Sequence, residues 1–482
     1  MHWVTSNDGP RSIPWSLVSC TVVVLVAALL RWALLDYVEF KGDEAQVAGT
    51  VRDMLETGRI VETGMITSVG PLNPPLFDYI MAIPLAFTSD PRVATAFIGL
   101  ANVTAVIVTT ALAWRLWRKA VATPMWSAAI PAALFAVAPW AVVFSRKIWA
   151  PELEPLFAAW CLYCLVRARE GGRRAPWWTA SALAAWLWMC QLHPAALLLA
   201  PVFLVAGPAL WRQARPIALV AGLVIGMLPL VPYLRYDAEH GWINLQGFLH
   251  AAGQTPSFDG TSLLFAFMDV TSLDTLQLEG VPYIHFTGAW RLFSWHSDIA
   301  TVLMAAALAL CAVVCARGLA GGKTPEARHT AADLLVIQAW FWLPVLLTSR
   351  HSTPLFQHYF LILFPAPFLL MGYAAAVAAG WIRRDGTSSS RSEYPREGLS
   401  GAAGAFRVTE RWWIAPAGVV ASLVFIIAGW LALLLSLYRY LPSGNSVADF
   451  GIPLRTTMAI ADLARKTGAN GQLWLSGSDD IM

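Results

Sequence analysis

The chain has 482 residues, of which 57% are hydrophobic and only 13% charged, with a mean hydropathy of +0.57. A water-soluble protein of this size needs more charge than that to cover its surface, so a soluble globular domain is excluded. A net charge of +3 is too small to recruit nucleic acid, and a bilayer is the solvent that suits such a composition.

Apolar stretches of about 17–25 residues mark membrane-spanning helices. In chain order they fall at 16–35, 93–114, 124–144, 148–166, 176–192, 194–211, 216–234, 299–316, 331–348, 354–381 and 413–437. The expected fold class is an all-α polytopic membrane protein of about eleven transmembrane helices, with two long extracytoplasmic loops containing surface helices. The first span follows a short polar segment, Met1 to Pro14, with no small-residue cleavage site, and reads as uncleaved. Arg115, Arg118 and Lys119, then Arg167, Arg169, Arg173 and Arg174, then Arg212 and Arg215, cluster in alternate connections. Arg317, Lys323 and Arg328, and finally Arg383 to Arg411, continue the series. Basic loops stay in the cytoplasm, which puts the N-terminus inside and the C-terminus outside a plasma membrane. Tryptophans near span ends, among them Trp15, Trp32, Trp126, Trp177, Trp211, Trp381 and Trp412, form an aromatic belt. Cys161-x-x-Cys164 has no second Cys or His pair beside it, so all six cysteines read as small core residues and not as metal ligands.

The transmembrane unit is read as 1–438, with outer loops 36–92 and 235–298, followed by a short extracytoplasmic segment, 439–482. The first outer loop opens on an amphipathic helix. Asp43 and Gln46 fit an N-capping pair, Val47, Val51, Met54 and Leu55 share a face, and Gly58 suits the stop. Gly70-Pro71-Leu72-Asn73-Pro74-Pro75 cannot be helical, and Leu76 to Phe87 is too short to span, so it reads as a second surface helix. In the second outer loop Trp290, Phe293 and Trp295 are suited to cover a site. The segment 383–411 is Ser-, Arg- and Gly-rich, with the composition of a disordered loop. Leu454 to Lys466 reads as a helix and Gln472-Leu473-Trp474-Leu475 as a strand, the opening of a small α/β unit that reads as a fragment or a short appendage. No internal repeat is evident.

Polar residues gather at the outer ends of the spans. Asp43 and Glu44 follow the first, Arg146 and Lys147 join the third to the fourth, and Glu152 and Glu154 open the fourth. His193 caps the turn between the fifth and sixth, Arg350 and His351 end the ninth, and Gln357 and His358 begin the tenth. Ionisable groups at membrane depth are costly and mark functional sites. These types suit glycosyl transfer from a polyprenyl-phosphate sugar, which needs a base for the acceptor hydroxyl and cations for the departing phosphate, but no nucleotide. Asp43 is the candidate base. Arg146, Lys147, Arg350 and His358 are candidate phosphate contacts, and Glu154 is a candidate metal ligand or orienting group, with Asp43 as a second metal-ligand candidate and a divalent ion as the possible cofactor. Bland readings stand beside these: Asp43 as a helix cap, the glutamates as helix N-terminal charges, Arg146 and Lys147 as headgroup anchors, His193 as a turn residue.

The layout resembles the GT-C glycosyltransferases, closest to the protein O-mannosyltransferase and lipid A aminoarabinose transferase group. Gly42-Asp43-Glu44-Ala45 is similar to that group's acidic motif, and Asn73-Pro74-Pro75-Leu76 to its Pro-Pro-Leu segment. Ser145-Arg146 with Leu153-Glu154-Pro155-Leu156 resembles its third-to-fourth span junction, and His358-Tyr359-Phe360-Leu361 with Phe364-Pro365 a late span. The resemblance implies an inverting glycosyltransferase using a polyprenyl-phosphate donor, with Asp43 catalytic and the site at the extracytoplasmic face. The acceptor would be a glycan, lipid or protein hydroxyl, and membrane lipids would be the surroundings. Asn73 stands where some relatives carry a phosphate-contacting Lys, and His358 where an Arg is commoner. The competing reading is a transporter or flippase of lipid-linked sugars, which calls for mid-span polar groups and internal symmetry.

Overall fold

The computed structural model describes residues 15–118, 124–211, 214–273, 294–322, 324–379, 414–443 and 452–466. The Ser- and Arg-rich segment 383–411, the strand expected at 472–475, Trp290 and Phe293 lie outside them. Without water, backbone groups must bond within their own segment, so apolar runs become helices. The first half of the chain forms α1 (Trp15–Trp32), α2 (Gly42–Thr57), α3 (Leu76–Leu85), α4 (Pro91–Trp117), α5 (Pro124–Val137), α6 (Pro139–Phe144), α7 (Glu154–Arg169), α8 (Ala175–Leu192) and α9 (Ala200–Trp211). The second half forms α10 (Pro216–Met227), α11 (Val231–Glu239), α12 (Ile243–Ala252), α13 (Thr261–Thr271), α14 (His296–Gly321), α15 (Pro325–Thr348), α16 (Ala366–Ala378), α17 (Ile414–Tyr440) and α18 (Leu454–Lys466). The described strands, Ser257–Phe258 and Arg350–His351, pair antiparallel as one two-stranded sheet.

This is an all-α membrane protein. Among the described residues five helices are long and apolar enough to cross a membrane, or six if Gln357–Leu363 and Ala366–Ala378, bent by 55°, form one span. The expected eleven rests on charge alternation and goes beyond what helix length alone supports. Prolines explain the difference. Pro139 separates α5 from α6, and 3-10 turns at Ala150–Leu153, Pro194–Leu199 and Gln357–Leu363 precede α7, α9 and α16. The 357–363 turn packs against both of the other turns, so the broken ends meet at one place in the bundle. Interrupted helices at membrane depth persist where protein or a cavity surrounds the freed backbone.

Two buried arginines satisfy that backbone. Pro139 has no N–H to give Phe135, and the fully buried Arg31 reaches across from α1, donating to the carbonyls of Ala136 at 2.9 Å and of Phe135 and Ala141 at 3.5 Å. Arg146, 5% exposed, does the same for the end of α1, donating to Leu30 O at 3.0 Å, Leu34 O at 3.2 Å and also Ala33 O.

The expected capping of α2 is corrected. Lys41 is the N-cap residue, and Glu44, three positions on, accepts the Lys41 backbone N–H at 2.9 Å. Asp43 is thereby left out of the cap. Val47 and Val51 are buried on α2, Leu76, Phe77 and Met81 on α3, and Ile98 on α4, forming a small core apart from the main bundle. Leu55, expected on that face, is 43% exposed. In the second outer segment α13 is no surface helix: Ala266, Asp269 and Val270 are fully buried against α14 and α15. Trp295 is 66% exposed and covers nothing.

The segment 452–466 returns to the first outer loop. Phe40 N–H donates to Ile452 O at 3.0 Å and Leu454 N–H to Val38 O at 2.8 Å, which brackets Glu39 opposite Pro453. Leu454, 1% exposed, enters the α2–α3 core, and Thr457 Oγ1 donates to Phe40 O at 3.1 Å.

Candidate active site

Four stretches meet where the helices are broken: residues 37–44, 145–154, His193 with the following turn, and 356–361. Asp43 lies at the second position of α2 and is half-buried. Freed from capping, its Oδ2 accepts the Trp149 indole N–H at 3.2 Å. Trp149 precedes the 3-10 turn at 150–153 and stands 4.8 Å, ring to ring, from His358. His358 stacks on Phe356 at 5.8 Å and faces Tyr359 at 4.8 Å and His193 at 6.0 Å. His193 in turn lies 4.5 Å from the Tyr359 ring, and its Nδ1 accepts the Ala195 N–H at 3.3 Å. An aromatic wall thus stands beside the Asp43 carboxylate.

The cationic side is Lys147, whose Nζ lies 5.3 Å from the Trp149 ring centroid. It is 5% exposed and pairs with Glu39 at 2.5 Å. The other Glu39 oxygen lies 2.8 Å from Lys41 Nζ, so one carboxylate bridges two ammonium groups. Glu44 is fully buried, and burial, reinforced by Glu39, holds its carboxyl above the usual range. Glu152 is also fully buried with neither oxygen hydrogen-bonded, and it interacts through space with Lys147, Glu39, Asp269 and Glu44. Asp269 sits on α13 beside the Gln357 amide.

The structure therefore brings Asp43, Glu44, Lys147, Glu152, His193 and His358 into one neighbourhood. Glu154 adjoins it: fully buried, with no hydrogen-bond partner, it interacts with Glu152 on one side and Cys190 of α8 on the other. Arg146 borders a cleft shared with Tyr37, Glu39, Lys147 and Tyr438, but its donors are spent on α1 carbonyls and on Tyr438 Oη at 3.3 Å. Arg350 is exposed on the strand pairing with Phe258, and no contact joins it to Asp43 or Lys147. Asn73 lies in the turn before α3, where its N–H donates to Met65 O at 2.8 Å and its O accepts from Gly64 at 2.7 Å. Its buried Oδ1 has no partner.

Glu39, Lys41, Trp149, Asp269 and Tyr359 escaped sequence reading. A signal existed for the first two: Glu39 and Lys41 are two residues apart in extended chain, which puts them on one side. For Trp149, one indole among 24 carries no mark of its own.

A divalent ion needs several converging oxygen or nitrogen ligands. Glu152 and Glu154 offer unpartnered oxygens, yet among the described residues no three Asp, Glu, His or Cys converge on a point. As arranged, these residues do not fit a metal between Asp43 and Glu154.

The chain shares this broken-helix fold with solved membrane-protein structures. Among solved structures it is similar to ArnT from Cupriavidus metallidurans bound to undecaprenyl phosphate, at 14% identity and a TM-score of 0.53, over 96% of this chain and 82% of that one. It is also similar to the archaeal oligosaccharyltransferase AglB from Archaeoglobus fulgidus in complex with an inhibitory peptide and a dolichol-phosphate. That match has 12% identity and a TM-score of 0.50 over 95% of this chain, which spans 58% of AglB. No protein-family model and no curated protein sequence matches the chain.

Proposed function

We propose that this protein is a GT-C glycosyltransferase that moves a sugar from a polyprenyl-phosphate donor to an acceptor hydroxyl, inverting the anomeric carbon, with Asp43 as base. The observation that carries the proposal is the carboxylate of Asp43. It is released from helix capping by Glu44, fixed through one oxygen by Trp149, and set near the buried cation Lys147. The undecaprenyl phosphate and dolichol-phosphate in the two similar structures support the donor class.

In the reaction the acceptor oxygen attacks the anomeric carbon opposite the phosphate, the bond from that carbon to the phosphate oxygen breaks, and the free Oδ1 of Asp43 takes the hydroxyl proton. The phosphate leaves as an anion without needing a proton, and Lys147 stabilises its growing charge. His358 and the aromatic wall suit the flat faces of a sugar ring and exclude water. Arg146 supports this machinery by holding α1 and α6 together. Arg350 stays a candidate contact from the exposed side, while Asn73, Glu152, Glu154 and His193 shape the surroundings. No step is routed through a metal. The alternating basic loops support a site outside a plasma membrane, with the N-terminus in the cytoplasm. The acceptor is a glycan, lipid or protein hydroxyl.

The test is sugar transfer, or slow donor hydrolysis, by the purified protein with a panel of polyprenyl-phosphate sugars, beside the Asp43→Asn variant. Turnover that the variant loses while still binding donor supports the reading. Equal turnover in both removes Asp43 from the mechanism, and binding without turnover of any donor favours a carrier of lipid-linked sugars.

A further inference from the structure

We infer that Glu39 is a positioning residue that sets the charge of the phosphate subsite, tuning Lys41 and Lys147 to a phosphate with one negative charge. The inference rests on the reading of Lys147 as a phosphate contact. The Glu39 side chain is 2% exposed, and each of its oxygens faces a different ammonium, Lys41 at 2.8 Å and Lys147 at 2.5 Å. Neither oxygen has a further hydrogen bond. The backbone on both sides is pinned, through Val38 O to Leu454 and through Phe40 N to Ile452, so the carboxylate cannot swing away. A cleft bordered by Tyr37, Glu39, Arg146, Lys147 and Tyr438 opens beside the bridge.

The two ammonium groups repel each other, and the carboxylate between them offsets that repulsion. The three groups together carry one net positive charge. A sugar phosphodiester carries one negative charge, which this balances. The phosphate monoester left after transfer takes a second negative charge as its last proton leaves near pH 6, one more than the three groups balance. Glu39 therefore favours the donor over the spent carrier and promotes its release. Glu44, Glu152 and His358 also face Lys147, and Arg146 lines the same cleft with its charge directed at the carbonyls at the end of α1. Glu39 raises both the Glu44 and the Glu152 carboxyl, so its removal makes the site more positive by one charge where they stay protonated and by less where they ionise.

The experiment measures binding of undecaprenyl phosphate to the full chain in detergent from pH 5.5 to 8.5, with thermal melting as the check on folding. Wild type is expected to bind no more tightly as the lipid phosphate loses its second proton. Glu39→Gln is expected to tighten about tenfold over that range, a modest effect for a unit charge at contact distance. Glu39→Asp should restore the wild-type profile. Should Glu39→Gln fail to fold, Lys41→Met carries the test: it removes one positive charge and should weaken binding about tenfold as the second proton leaves. A folded Glu39→Gln with the wild-type pH profile overturns the inference, since a purely structural role would only lower its melting temperature. Loss of binding in a folded Glu39→Gln overturns it too. If transfer still requires Asp43 while the profile is indifferent to Glu39, the transferase reading stands and this inference falls.

Discussion

Asp78 gives the sharpest test of the fold around the first outer loop. It lies in the first turn of α3, 3% exposed, in the small core that joins α2, α3 and α4. Burial raises its carboxyl from 3.8 to about 7, partly offset by a backbone hydrogen bond. The folded protein thus holds this proton more tightly than the unfolded chain does. Below about pH 4 the group is neutral in both states and costs nothing. Between about pH 4 and 7 only the unfolded chain ionises, so stability falls as pH rises, and above about 7 the penalty is constant. The interval from 3.8 to about 7, at about 1.36 kcal/mol for each pH unit, comes to about 4 kcal/mol. Asp78→Asn keeps the shape and the acceptor but cannot ionise. It should melt like wild type at pH 4, above it at pH 6, and higher still at pH 8, by up to about 4 kcal/mol of unfolding free energy. Melting curves of the two proteins in one detergent at three pH values decide it. A difference that does not change with pH would refute the reasoning, because packing alone has no proton to lose.

Trp149→Phe removes the indole N–H from Asp43 and should lower kcat about tenfold, the lower end for a hydrogen bond to a charged group. Melting should move little, and a drop in stability with unchanged kcat would make Trp149 a packing residue only. Arg146→Lys cannot reproduce the fork that holds three α1 carbonyls and should cost about 3 kcal/mol of stability. If donor affinity falls instead while melting holds, Arg146 is a phosphate contact after all. Lys147→Met leaves the buried Glu39 carboxylate with Lys41 alone and should destabilise, by less than the ~3–5 kcal/mol of a fully unpaired buried charge. Adding Glu39→Gln should recover much of that stability without recovering turnover, and full recovery of both would take Lys147 out of the chemistry. Leu454→Ala opens a cavity in the α2–α3 core and should cost about 2–4 kcal/mol; limited proteolysis should then cut the 452–466 segment first, and unchanged resistance would show that its backbone bonds suffice.

Much of this was written in the order of residues. The apolar runs became helices, several of them broken at prolines, and the acidic pair, the third-to-fourth junction and His358 lie in one neighbourhood. What stayed hidden was set by partners far along the chain. Pro131 and Pro139 look alike in sequence, yet α5 runs through the first and ends at the second, where Arg31 from α1 meets the exposed carbonyls. Arg146 looks like a free outer-face cation until the end of α1 claims its donors. Glu44 and Asp43 are adjacent acids, and which one caps depends on whether the helix begins at Gly42 or two residues later, a difference local propensity does not resolve. The Glu39–Lys147 bridge has no local signature at all.

The bracket around Glu39 has a consequence for how the protein is made. Its two sides come from parts of the chain 417 residues apart, as Thr457 and Phe40 show, and Tyr438 of α17 likewise reaches Arg146. A ribosome delivers Asp43, Lys147, Trp149 and His358 to the membrane well before α17 and residues 452–466. Until those arrive, Glu39 is unpinned and its lysines are loosely held. A half-inserted chain therefore carries these side chains without the frame that sets their positions.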